Sequence, residues 1–129
     1  AAESIFGYTC VNDVTALQVL ESDLTFPQWA RAKGYDTFCP FGPVIATDID
    51  LGTATIRAEL NGRERQNYPV SDLFVQPAEL VSRLSRLMTL EPGDIVSCGT
   101  GPGALPMKSG ATIDVIIDGI GTLSNTYQD

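Results

Sequence analysis

Residues 7–43 read GYTCVNDVTALQVLESDLTFPQWARAKGYDTFCPFGP, and the rest of the chain is organised around this segment. Residues 7–14 alternate between two faces, which predicts a β-strand. Asp13 would then emerge at the end of that strand, on an otherwise apolar face. A carboxylate in such a place is unfavourable unless it is paired, hydrogen-bonded or bound to a cation. Two interpretations stay open: Asp13 or Thr15 caps the helix predicted over residues 16–21, or Asp13 is a metal-binding or catalytic carboxylate.

Lys33 follows Asp13 by twenty positions and ends a second short predicted helix, residues 26–34, with Pro27 near its start and Gly34 at its end. A cation in the last turn complements the helix dipole, so Lys33 has either that structural role or a role toward a ligand. Trp29 lies on the same helix and is expected to belong to the core.

The remainder of the chain is mostly β in pattern. Strands are predicted over residues 43–47, 54–60, 63–68, 95–98 and 111–118, and a last strand is predicted to end at residue 123. Asn61-Gly62 is a strong signal for a two-residue hairpin. Residues 77–88 form an amphipathic pattern that predicts the one long helix. Asp48 and Asp50 resemble a fragment of a calcium loop, but no ligand-rich continuation follows, so a solvated turn is expected there.

A glycine-rich loop, Gly99-Thr100-Gly101-Pro102-Gly103, directly follows the predicted strand 95–98. Such loops allow backbone N–H groups to approach an anion closely, and Thr100 adds a hydroxyl. The loop lacks the lysine and the helix of a phosphate-binding P-loop, which argues against nucleotide binding. The alternative is a tight turn with no ligand.

Composition excludes several functional classes. The 129 residues suit one domain, and 16 acidic against 8 basic residues give a net charge of −8, which disfavours nucleic acid and anionic membranes as partners. Three widely spaced cysteines argue against a disulfide framework and a thiolate zinc site, and favour a cytoplasmic location. The absence of histidine excludes Ser-His and Cys-His catalysis within these residues.

The segments GYTCVNDVTA, QWARAKGYDTFCPFGP, LNGRERQ, LSRLMTLEPGDIVSCGT and MKSGATIDVIIDGIGTLSN together resemble the C-terminal catalytic domain of the fumarylacetoacetate hydrolase family, in the family's order and spacing. The resemblance implies an α+β fold, a mixed β-roll or sandwich with one long and a few short helices. It also implies a homodimer that binds Mg²⁺, or Mn²⁺ or Ca²⁺ instead, and that acts on 2-oxo acids or 1,3-dicarbonyl acids by hydrolysis, decarboxylation or isomerisation.

Site roles follow from the same resemblance. Asp13 matches the family's metal-binding aspartate, Lys33 the lysine that faces the substrate, and Thr100, with Gly99, the Gly-Thr loop that holds a substrate carboxylate. Two departures are visible: Leu17 stands where many members have an arginine, and the usual Gly-Thr-Pro continuation is shifted to Thr100-Gly101-Pro102. These departures keep a second interpretation open, a family member that has lost catalysis and serves as a binding or structural subunit.

The family's remaining metal ligands, a Glu-x-Glu pair, and its His-Glu dyad have no counterpart in this sequence. The chain also begins with Ala1, and residues 1–6 have the pattern of the end of a helix. Residues 1–129 are therefore expected to form the C-terminal part of a single catalytic domain, with an upstream part absent.

Overall fold

The structure is a computed structural model, and it describes residues 1–128. Its helices are α1 (Leu17–Glu21), α2 (Trp29–Lys33) and α3 (Pro77–Leu84), with 3₁₀ turns at Ala2–Ser4 and Val70–Asp72. Its strands are β1 (Tyr8–Val11), β2 (Phe41–Ala46), β3 (Thr55–Leu60), β4 (Arg63–Pro69), β5 (Thr112–Ile117) and β6 (Gly121–Thr126). No helix within residues 1–128 is long and apolar enough to cross a bilayer.

The strands form two antiparallel sheets, one of β1 and β2 and one in the order β4-β3-β5-β6. The β3–β4 hairpin turns at Asn61 and Gly62, both with positive φ, as the Asn-Gly pair predicts. Asn61 also ties this turn to β5, since its side-chain oxygen accepts a hydrogen bond from the Thr112 N–H at 2.9 Å. The α+β fold class predicted from the sequence is confirmed.

The core lies where the two sheets meet. Cys10 of β1 is fully buried against Val115, Ile120 and Leu123, which belong to β5, the following turn and β6. The face of the larger sheet that carries Val115 extends beyond this core. Alternate residues of β3 and β5 line a cavity on that face, in the pattern expected for half-buried strands: Ile56, Ala58, Leu60, Ile113, Val115 and Ile117.

Three local predictions are wrong. Residues 95–98 alternate between exposed and half-buried positions but form no strand, because no strand within residues 1–128 pairs with them. α3 ends at Leu84 rather than at residue 88, and Leu87 is left 80% exposed, so nothing packs on its predicted apolar face there. Residues 1–6 contain one 3₁₀ turn instead of the end of an α-helix.

Candidate active site

The segment between β1 and β2 folds back on itself and brings two distant polar residues together. The Ala16 N–H donates a hydrogen bond to the Ala32 carbonyl at 2.9 Å, which joins the start of α1 to α2. The Asn12 N–H donates to the Pro40 carbonyl at 3.0 Å, which closes the loop near its base. These two contacts place the last turn of α2 beside the end of β1.

Lys33 and Asp13 meet at this junction. The Lys33 ammonium donates a hydrogen bond to Asp13 Oδ2 and another to Thr15 Oγ1, the latter at 3.1 Å. The Lys33 and Asp13 side chains stay 33% and 45% exposed, so the ion pair is accessible from the cavity that both residues line. The hypothesis that Asp13 or Thr15 caps α1 is wrong, since the N-cap is Ala16 and no side chain caps that helix.

Trp29 forms part of the same site. Its ring centroid lies 5.8 Å from Lys33 Nζ, within cation–π distance. The side chain is 57% exposed and lines the cavity, so the prediction that Trp29 belongs to the core is wrong. The reason is its position on a five-residue helix whose one buried residue is Ala32. The indole is therefore available as an apolar wall beside the ammonium.

The cavity has a volume of about 1140 Å³, above the range of roughly 300–1,000 Å³ usual for small-molecule sites. All four residues that the sequence pointed to line it: Asp13, Lys33, Gly99 and Thr100. Asp13 and Lys33 are in direct contact, and Gly99 and Thr100 belong to the loop after residue 98. The cavity wall also includes Leu17, which is half-exposed.

The glycine loop is attached to β4 by a residue that the sequence did not single out. Gln66 Nε2 donates hydrogen bonds to Thr100 Oγ1 at 2.9 Å and to the Gly101 carbonyl at 2.6 Å. The Tyr68 ring covers Gly101 so closely that a Cβ there would lie 2.5 Å from Cε1. The sequence carried one signal for it, since Gln66 ends LNGRERQ, a segment that resembles the family. Gln66 and Tyr68, two positions apart on β4, both line the cavity.

Two buried polar atoms at this cavity lack a hydrogen-bond partner in the described part of the chain, Thr9 Oγ1 and Asn12 Nδ2. Buried polar groups are almost always satisfied, by protein or by water. These atoms are therefore positions where a water molecule or a ligand would bind.

Cys98 precedes the Gly-Thr loop and also lines the cavity. Burial raises the pKa of its thiol, which disfavours the thiolate. A cysteine needs the thiolate to act as a nucleophile, so the structure does not support that role for Cys98.

The donor set at the site fits a divalent cation only in part. A carboxylate such as that of Asp13 suits a hard cation, which prefers oxygen ligands. Within residues 1–128, however, no group of three or more histidine, cysteine, aspartate or glutamate side chains could hold a metal ion. Asp13 therefore fits as one ligand, and the described residues do not make up a complete metal site.

The chain matches the family model for the fumarylacetoacetate (FAA) hydrolase C-terminal domain over residues 1–128. The chain belongs to the fumarylacetoacetate hydrolase family. Within this family it is 39% identical to the oxaloacetate tautomerase YisK of Bacillus subtilis, over 97% of this chain and 44% of that protein. The chain spans about half the length of the curated relatives that it matches first.

Solved structures of the family share the fold. The 5-carboxymethyl-2-hydroxymuconate delta-isomerase from Mycobacterium smegmatis matches with a TM-score of 0.93 at 45% identity, over 99% of this chain and 50% of that one. A maleylpyruvate hydrolase from Sphingobium sp. SYK-6, in complex with manganese(II) and pyruvate, matches with a TM-score of 0.83 at 31% identity. The match covers 98% of this chain and 45% of that one. Family members similar to this chain thus include a tautomerase, an isomerase and a hydrolase.

Proposed function

We propose that the protein is a metal-dependent enzyme that acts on a 2-oxo acid or a 1,3-dicarbonyl acid through an enolate. The observation that carries the proposal is the Lys33–Asp13 pair on the wall of a large cavity that Thr100 also lines. A keto acid has a carboxylate and a carbonyl oxygen that becomes negative in the enolate. In a single cavity, one cationic group would stabilise the negative enolate oxygen and one hydroxyl donor would bind the carboxylate. The names of the tautomerase, isomerase and hydrolase relatives support the same reaction class.

In the proposal, Lys33 is the catalytic residue. Its ammonium would lie beside the developing oxyanion and stabilise it more than the neutral carbonyl of the substrate. Trp29 and Leu17 would form the apolar wall along the rest of the acid. The Thr100 hydroxyl, with the Gly99 backbone, would hold the substrate carboxylate.

Asp13 is proposed as one oxygen ligand of Mg²⁺ or Mn²⁺, with the other ligands supplied from outside the described residues. The complex of the Sphingobium enzyme with manganese(II) and pyruvate supports the choice of a divalent cation. When bound, such a cation supplies Lewis-acid polarisation of a keto oxygen. The catalytic unit in this proposal is larger than residues 1–129 and is a homodimer.

The second candidate is a family member without catalytic activity that serves as a binding or structural subunit. Leu17 favours it, since an apolar side chain on the cavity wall offers no polar group to a reacting acid.

A substrate screen of the complete protein that contains this chain separates the two candidates. Acylpyruvates, oxaloacetate and dienoic diacids would be tested with Mg²⁺, with Mn²⁺ and with excess chelator. Turnover of one class that chelator abolishes is the expected result. Binding of these acids without turnover under any condition would favour the subunit instead.

A further inference from the structure

Gln66 is the only residue of the cavity wall in the described structure whose side-chain nitrogen has three hydrogen-bond acceptors in a single loop, which share its two N–H groups. Its Nε2 contacts Thr100 Oγ1 at 2.9 Å, the Gly101 carbonyl at 2.6 Å and the Pro102 carbonyl at 3.3 Å. The two carbonyls can only accept hydrogen bonds, so the group that faces them must be the amide nitrogen and not its oxygen. The orientation of the Gln66 amide is therefore fixed by its surroundings.

This orientation determines what the Thr100 hydroxyl can do. Its oxygen already accepts a hydrogen bond from Gln66, so its proton is left to be donated elsewhere. Its one acceptor in the described part of the protein, the Gly101 carbonyl, lies at 3.4 Å, a long distance for an O–H···O bond. A hydroxyl in this state, on a residue that lines the cavity, has a proton available to a ligand. Such a donor suits a carboxylate, since a carboxylate only accepts.

The loop itself has little else to hold its shape. Residues 95–107 contain no helix or strand, and Gly99 and Gly103 have φ near +101° and +102°. A Cβ at Gly103 would lie 2.1 Å from the Arg65 carbonyl, so the loop backbone packs directly on β4 beside Gln66. Gln66 thus connects an irregular segment to a strand of the four-stranded sheet.

We propose that Gln66 is a positioning residue that sets the Thr100 hydroxyl as a hydrogen-bond donor to the substrate carboxylate. This inference rests on the proposed function, in which Thr100 holds that carboxylate. Gln66 does not contact the reacting atoms in this proposal, so it contributes to binding and not to the chemical step.

The test is Gln66→Met in the complete protein, which keeps the length and volume of the side chain and removes the donor. KM for the best acid of the substrate screen should rise about tenfold, with kcat changed by less than about threefold, because a uniform binding interaction is lost. The inhibition constant of pyruvate as a competing ligand should rise by the same factor. A residue that only supports folding would instead reduce the amount of active protein and leave KM unchanged.

Gln76→Met is the matched control. Gln76 Nε2 also has three acceptors for its two N–H groups, the backbone carbonyls of Val70, Ser71 and Leu73, each at 3.3 Å. The Gln76→Met variant loses the same kind of contact. Because Gln76 does not reach the Gly-Thr loop, KM should stay at the wild-type value. If Gln66→Met does not fold, Gln66→Asn keeps the amide but shortens it by one methylene, and should show the same rise in KM.

A double-mutant cycle with Thr100→Val completes the experiment. If Gln66 acts through Thr100, the double variant should have the KM of Thr100→Val alone. Full additivity, or an unchanged KM in both Gln66 variants, would overturn the inference while the proposed function stands. An unchanged KM in Thr100→Val would overturn it as well. A wild-type protein that binds no 2-oxo acid would remove the proposed function and the inference together.

Discussion

At the scale of single residues, the site depends on one ion pair whose two members could each be explained without any function. Asp13 could have capped α1, and Lys33 could have complemented the dipole of α2. The structure gives Asp13 no capping contact and directs the Lys33 ammonium across to Asp13 and Thr15. A half-exposed ion pair adds little stability, typically 0 to about 1 kcal/mol, so stability alone does not account for the arrangement.

Asp13→Asn in the complete protein should weaken Mg²⁺ binding by about tenfold or more, because a charged oxygen ligand becomes neutral. Isothermal titration calorimetry measures this affinity directly. Asp114→Asn is a control, since that carboxylate lies on β5 and does not line the cavity. Equal Mg²⁺ affinity in wild type and Asp13→Asn would remove Asp13 from the metal site.

Lys33→Met keeps the length of the aliphatic stem and removes the charge. We expect kcat/KM to fall on the order of 10²-fold or more, the scale of losing one oxyanion-stabilising donor. The free energy of unfolding should change by less than about 1 kcal/mol, because Lys33 is partly exposed. The only other lysine, Lys108, is exposed and outside the cavity, so Lys108→Met should keep normal turnover. Near-normal kcat/KM in Lys33→Met would leave this lysine with a structural role only.

The cysteines provide a further test at this scale. Burial raises the pKa of Cys10 and of Cys98, whereas Cys39 is exposed. Since the thiolate is the reactive form, iodoacetamide at neutral pH should alkylate Cys39 well before the other two. Raising the pH should increase the labelling of Cys98, because its raised pKa delays thiolate formation to higher pH. Peptide mass spectrometry after timed quenching reads each site, and early labelling of Cys98 would contradict its burial.

At the scale of elements, success and failure of sequence-based prediction follow from the range of the interactions involved. The β3–β4 hairpin could be predicted because its decisive residues, Asn61 and Gly62, are adjacent. The end of α3 and the irregular course of residues 95–98 could not, since each depends on whether another segment lies alongside. Gln66 was missed for the same reason, as its partners lie 34 to 36 residues away.

The hairpin turn gives a prediction whose effect on stability comes only from the backbone conformation at Gly62. Gly62 has φ +70°, and a methyl group added at its Cα would have nothing within 4 Å, so Gly62→Ala introduces no clash. The left-handed conformation should still cost about 1 kcal/mol for a residue with a Cβ, observed as a lower free energy of unfolding in urea. Gly52 does not have positive φ and would meet only the tip of Asp50, so Gly52→Ala is the control. Equal effects of the two substitutions would contradict the turn geometry.

At the scale of the whole molecule, the buried apolar residues are few and small, and four of them are alanines: Ala32, Ala54, Ala58 and Ala111. Large apolar side chains remain exposed instead, among them Phe6 at 79%, Leu24 at 80% and Phe74 at 101%. Where such side chains form a contiguous patch, the patch marks an interface in a stable protein. Of these side chains, Phe6 lines the cavity together with Asp13 and Lys33, so exposed apolar surface and the proposed site share one cavity.

The last prediction is that residues 1–129, purified alone, are not a competent enzyme. Asp13 belongs to no cluster of metal-ligating side chains within residues 1–128, and an octahedral ion needs further oxygen ligands. The isolated chain should therefore bind Mg²⁺ with a dissociation constant no better than about millimolar. The exposed apolar side chains should make the isolated chain associate, which sedimentation velocity would show as species larger than the 13.8 kDa monomer. Calorimetry and the substrate screen should show metal affinity and turnover returning when the rest of a full-length family protein is supplied in cis or in trans. Metal-dependent turnover by residues 1–129 alone would overturn this prediction, because the metal ligands would then have to come from a chain whose described residues hold no such cluster.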